Sequence, residues 1–155
     1  MKKTILFIAA AICLALTSCN NANKQSAANG GDEPSCNMTV EAYVEVMAND
    51  YPQQMGDGTT MMSVKTIDKS VVYEVLVDES INGALGDWTQ EMWAECREGF
   101  LIGLTDGDGY LEFANLCKKE GYTIVFRWVG NSTGYTQDMT FGPDEIISRI
   151  NQVNL

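Results

Sequence analysis

Residues 121–141, GYTIVFRWVGNSTGYTQDMTF, decide the fold. Tyr122, Ile124, Phe126 and Trp128 alternate with Thr123, Val125, Arg127 and Val129, the period of two that marks a β-strand with one aromatic face turned to a core. Asn131-Ser132-Thr133-Gly134 is a turn, and Tyr135 to Phe141 returns as a partner strand. Working upstream, Met61 to Ile67 and Val71 to Val77 form a second hairpin around Asp68-Lys69-Ser70, preceded by a Gly56-Asp57-Gly58 loop. Val71, Tyr73, Val75 and Val77 share one face there, with Glu74 on the other.

Helical periods fill the rest. Val40, Tyr43, Val44, Met47 and Tyr51 recur at helical spacing behind a Thr39 cap, and Pro52 stops that helix. Asp87 and Gln90 read as a capping pair for a helix from Trp88 to Leu104, with Trp88, Met92, Cys96, Phe100 and Leu104 in one stripe and Glu91, Glu95 and Glu98 on the opposite side. Leu101 and Ile102 fall outside that stripe, so the helix end is either buried all round or shows an apolar patch. A shorter helix, Tyr110 to Glu120, follows Asp108 as its cap and ends at Gly121. Gly142-Pro143-Asp144-Glu145 opens a last helix carrying Ile146, Ile147 and Ile150. Two helix-hairpin units result, and they predict an α+β fold: a four-stranded antiparallel sheet with helices on one face.

The 155 residues hold 10 basic and 21 acidic side chains, no histidine and five cysteines. Without histidine, Ser-His-Asp and Cys-His mechanisms and histidine-containing zinc sites are excluded. A net charge of −11 excludes a nucleic acid partner, because phosphate binding needs clustered Lys and Arg. Most of the excess acid lies between Glu74 and Glu112, where ten carboxylates face Arg97 alone. That block is either a solvated face or a docking surface for a basic protein partner.

At the N-terminus Lys2 and Lys3 precede an apolar run from Ile5 to Leu16, too short to span a bilayer but suited to an export signal. The run closes on Leu16-Thr17-Ser18-Cys19, which resembles the bacterial lipobox. The alternative is an ordinary signal peptide cut near Ser18. The resemblance implies removal of residues 1–18, acylation of Cys19, and a membrane partner reached through the lipid anchor. Residues 19–35 read as a lipidated flexible tether, since they are small, polar and without apolar period. A single α+β domain is expected over residues 36–155. Asn20, where an aspartate would signal inner-membrane retention in Gram-negative lipoproteins, implies the outer membrane; the lack of acids in the residues after Cys19 favours its periplasmic face. As a whole the chain resembles small Gram-negative envelope lipoproteins that carry an α+β domain behind a polar tether, and these supply no catalytic residues.

Candidate chemistry is sparse. Asp106-Gly107-Asp108-Gly109 resembles the middle of a calcium loop, with Glu112 as a further oxygen ligand, but Leu104 and Asn115 stand where two ligands are needed. Asp106, Asp108 and Glu112 are therefore weak candidates, and no metal or cofactor is expected. Cys36, Cys96 and Cys117 lack a Cys-x-x-Cys spacing and read as core thiols, with a Cys96–Cys117 bridge as an alternative. The outer face of the sheet, with Arg127 and Asp138 on it, is polar and either solvated or a shallow binding surface. The function expected is a non-catalytic, lipid-anchored binding module with Glu91, Glu95, Glu98, Arg127 and Asp138 as interaction residues. A small carboxylate-dependent hydrolase and a weak calcium-binding module are the alternatives.

Overall fold

The computed structural model describes residues 38–56, 58–105 and 109–153. The residues expected to be the signal segment and the tether, with Cys19 and Cys36, lie outside the described residues, as do Asp106 and Asp108. The elements are α1 (Val40–Met47), β1 (Gln53–Gly56), β2 (Thr59–Ile67), β3 (Ser70–Val77), α2 (Glu79–Asn82), α3 (Gln90–Gly103), α4 (Tyr110–Glu120), β4 (Thr123–Gly130), β5 (Thr136–Phe141) and α5 (Pro143–Val153). Short 3-10 turns at Ala48–Asp50 and Leu85–Asp87 complete them. Among the described residues no helix is long and apolar enough to cross a membrane.

The α+β class is as expected, but the sheet is not four antiparallel strands. It has five, in the order β1-β2-β3-β4-β5, and β3 runs parallel to β4, from Ser70 opposite Thr123 to Val77 opposite Gly130. Parallel neighbours need a crossover of a dozen residues or more. Here α2, α3 and α4 form it, so the helices between the two expected hairpins join their strands side by side. β3 and β4 are consequently central and carry apolar residues on both faces. Val72 and Val125, opposite each other, are 4% and 8% exposed yet lie outside the main core. The added strand β1, whose last residue Gly56 is expected from sequence to begin a loop, pairs with β2 through a register shift between Gln54 and Gly56.

The core lies between the inward face of the sheet and α1, α3, α4 and α5. Tyr73 stacks on Phe126 across the parallel pair at 4.9 Å, and Tyr43 of α1 stacks on Phe113 of α4 at 4.7 Å. These flat contacts each add roughly 0.5–1.5 kcal/mol to simple area burial. Thr39 caps α1 as expected, accepting from the Ala42 amide at 3.2 Å. α3 is capped by Thr89, not Asp87: the Thr89 hydroxyl accepts from the Met92 amide at 3.3 Å, while Asp87 is taken up in the preceding 3-10 turn. On α3, Cys96 and Leu101 are buried, as is Leu104 just past its end; Met92 and Phe100 are half-buried and Ile102 is exposed. α4 opens on Gly109 at φ 92° without a side-chain cap, one residue after the expected Asp108. Cys96 and Cys117 are both buried and free, so the alternative Cys96–Cys117 bridge is absent.

Candidate functional site

The C-terminal ends of the parallel strands β3 and β4 meet a single buried acid. Glu79, the first residue of α2, is 8% exposed. Its carboxylate accepts from the amides of Leu85 (2.9 Å), Ser132 (3.0 Å) and Thr133 (2.8 Å) and from the Thr133 hydroxyl (2.8 Å). In return the Glu79 amide donates to Asn131 Oδ1 at 3.1 Å, and the Asn131 amide to Val77 O at 3.0 Å. The Leu85 amide leads in holding the Glu79 carboxyl below its ordinary range; burial works against it, and the Thr133 donors add to the lowering. Gly130 is required here, because a Cβ at that position would overlap the Glu79 carboxylate. This clasp ties the β4–β5 turn to the segment that leads into α3.

That segment carries the aromatic end of the molecule. Trp88 and Trp93, both half-buried, lie with ring centroids 4.8 Å apart, and each lies over Trp128, at 6.3 and 6.0 Å. Trp88 Nε1 donates to Asn82 O at 3.4 Å. Trp128, 1% exposed, has an Nε1 with no hydrogen-bond partner among the described residues. Exposed Tyr135 rests 3.6 Å from where a Gly86 side chain would begin, and Ile81 is 57% exposed. Asp87, Glu91 and Glu95 are exposed around this surface and form no ion pair with any described residue.

The other predicted interaction residues are placed differently. Glu98 is engaged by Arg149 of α5, and neighbouring Arg97 binds Glu145 of α5 through both guanidinium nitrogens at 2.7 Å. Arg127 and Asp138 lie on the opposite, open face of the sheet and satisfy each other in a two-pronged pair at 2.8 Å. The structure therefore brings Glu91 and Glu95 together on one side and leaves Arg127 and Asp138 on the other. Glu112 is exposed in the first turn of α4, and the described residues contain no group of three or more potential metal ligands. Sequence reading missed the Glu79 clasp and the role of Trp88 and Trp93 as a surface. The one signal was the acidic pair Asp78-Glu79 directly after a largely buried strand.

The perturbed groups limit the chemistry. Glu41, Asp78, Glu79, Asp138 and Glu145 are held below the ordinary carboxylate range, chiefly by hydrogen bonds from Tyr122, Ser80, the Leu85 amide, Arg127 and Arg97 respectively. A general acid for glycoside cleavage requires the reverse shift. Burial pushes the Cys96 and Cys117 thiols up to about 12, the wrong direction for a nucleophilic thiolate.

No family model matches the sequence, and no curated protein matches it. Solved structures do match in fold. A Pseudomonas aeruginosa protein described as secreted is 10% identical, with a TM-score of 0.54 over 69% of this chain and 92% of that one. A pilotin of the Vibrio vulnificus type 2 secretion system is 12% identical, with a TM-score of 0.51 over 69% and 87%. A type 2 secretion pilotin from Vibrio cholerae is 8% identical, with a TM-score of 0.50 over 68% and 87%. At these identities the likeness is one of fold.

Proposed function

We propose that the chain is a lipid-anchored envelope protein, held at the periplasmic face of the outer membrane through Cys19, whose domain is a non-catalytic binding module for a basic protein. The observation that carries this reading is an imbalance of pairing. All three arginines, Arg97, Arg127 and Arg149, are spent on internal partners, whereas Asp87, Glu91 and Glu95 form no ion pair with any described residue and stand beside half-buried Trp88 and Trp93. Aromatic side chains ringed by uncompensated charge offer a partner both apolar area and electrostatic steering. The perturbed carboxylates, all lowered, favour binding over hydrolysis. Two pilotins among the fold neighbours support a role beside an envelope assembly.

Two experiments test the reading. Cys19→Ala is expected to leave the precursor uncut and to abolish fatty-acid labelling; labelling that persists removes the anchor. Replacing Asp87, Glu91 and Glu95 with lysine is expected to lower partner recovery from detergent-solubilised envelopes by about tenfold or more, and salt should weaken the wild-type interaction in the same direction. Unchanged recovery counts against the acidic face.

A further inference from the structure

The sheet ends in two edges, and β5 is the longer of them. The Gly130 amide donates to Tyr135 O at 2.9 Å, so the residues of β5 that bond to β4 are Gln137, Met139 and Phe141. Thr136, Asp138 and Thr140 turn their backbone groups outward, where an edge strand invites pairing with another chain. Two of those outward carbonyls are already taken. Gln137 Nε2 donates to Asp138 O at 3.2 Å, and Arg97 Nη2 donates to Thr140 O at 3.1 Å. Arg97 is fixed for this by its two bonds to Glu145 and by lying 4.5 Å over the Phe141 ring.

We propose that Arg97 is the guard of the β5 edge, and that the partner it keeps off is a second copy of this chain. The edge is self-complementary. Antiparallel pairing about a two-fold axis at Asp138 sets Thr136 of one copy opposite Thr140 of the other. The two Asp138 carboxylates that then face each other are each neutralised in advance by Arg127. Removing Arg97 frees Thr140 O and clears the lane a second strand occupies; the uncharged Gln137 amide on Asp138 O leaves that carbonyl a second lone pair, and the two sheets join into one of ten strands. A cationic side chain placed against an edge carbonyl thus opposes self-association without touching the stability of the ladder itself.

The test is the mass of the full-length chain released from detergent micelles, read by native mass spectrometry, with folding followed by near-UV circular dichroism. Wild type is expected to be monomeric. Arg97→Ala and Glu145→Gln, which unties Arg97 from α5, should both dimerise, with the dimer at least tenfold tighter than in wild type. Adding Thr140→Pro to either variant should restore the monomer, because it deletes an outward amide and no ladder bond. If Arg97→Ala fails to fold, Glu145→Gln decides. A folded variant that stays monomeric overturns the proposal, as does a dimer that survives Thr140→Pro.

Discussion

Replacing Glu79 with alanine is expected to lower the melting temperature of the domain by roughly 10 °C. The loss is large because one side chain closes four donors: the amides of Leu85, Ser132 and Thr133 and the Thr133 hydroxyl. The Leu85 bond is buried and the other three are part-buried, so the Leu85 amide, stripped of its acceptor, carries the largest cost of lost hydration. Glu79→Gln, which keeps one acceptor oxygen, should fall between wild type and alanine, and Gly130→Ala should reproduce the loss from the other side by displacing the carboxylate. The pH dependence has a definite sign. The Glu79 carboxyl is held below its usual 4.5 in the folded state, first by the Leu85 amide. Its contribution is therefore present above pH 4.5 and is lost as pH falls through the lower folded value. Thermal melts from pH 7 to pH 3 should show a smaller acid loss for Glu79→Gln than for wild type. The remaining loss is shared by Glu145, Asp138, Glu41 and Asp78, whose carboxyls are lowered chiefly by hydrogen bonds from Arg97, Arg127, Tyr122 and Ser80 respectively.

Trp128→Ala is expected to cost about 3–5 kcal/mol in urea unfolding. Trp128 is almost fully buried at the centre of an aromatic cluster, with Phe100 at 5.0 Å, Trp93 at 6.0 Å and Trp88 at 6.3 Å. Truncation leaves a cavity beneath the two surface tryptophans, so their fluorescence should shift to the red as they gain water. Trp128→Phe is a different case. It keeps an aromatic ring and removes an Nε1–H that has no hydrogen-bond partner among the described residues. The lost volume and the relieved donor oppose each other, and the net cost should stay under about 1.5 kcal/mol.

The elements were largely legible and their assembly was not. β4 was readable because Tyr122, just before it, alternates without interruption with Ile124, Phe126 and Trp128 inside it, and all four are buried. α5 was readable because Pro143 and two acids open it and Ile146 and Ile150 are buried on one side. The parallel contact of β3 with β4 was hidden, because each strand also pairs antiparallel with its hairpin partner and the hydrophobic pattern is the same in either case. What pointed to central strands was Val72 and Val125, apolar residues on the face assigned to solvent. β1, with the polar start Gln53-Gln54, has no alternation to detect. For the site, the acidic side of α3 was visible from spacing, but its division was not. Glu98 is taken by Arg149, 51 residues away, while Glu91 and Glu95 stay open, and only the packing of α5 on α3 decides which.

The claim that the acidic, tryptophan-bearing end is the binding surface is tested most directly by photo-crosslinking in intact envelopes. A photoreactive residue replaces exposed Ala94, between Glu91 and Glu95 on α3, and a control replaces exposed Lys65 on the open face of the sheet. A discrete adduct with a basic protein is expected from position 94 and none from position 65, with loss of that adduct when Asp87, Glu91 and Glu95 become lysine. An adduct from position 65 alone, or one at position 94 that charge reversal leaves unchanged, contradicts that claim.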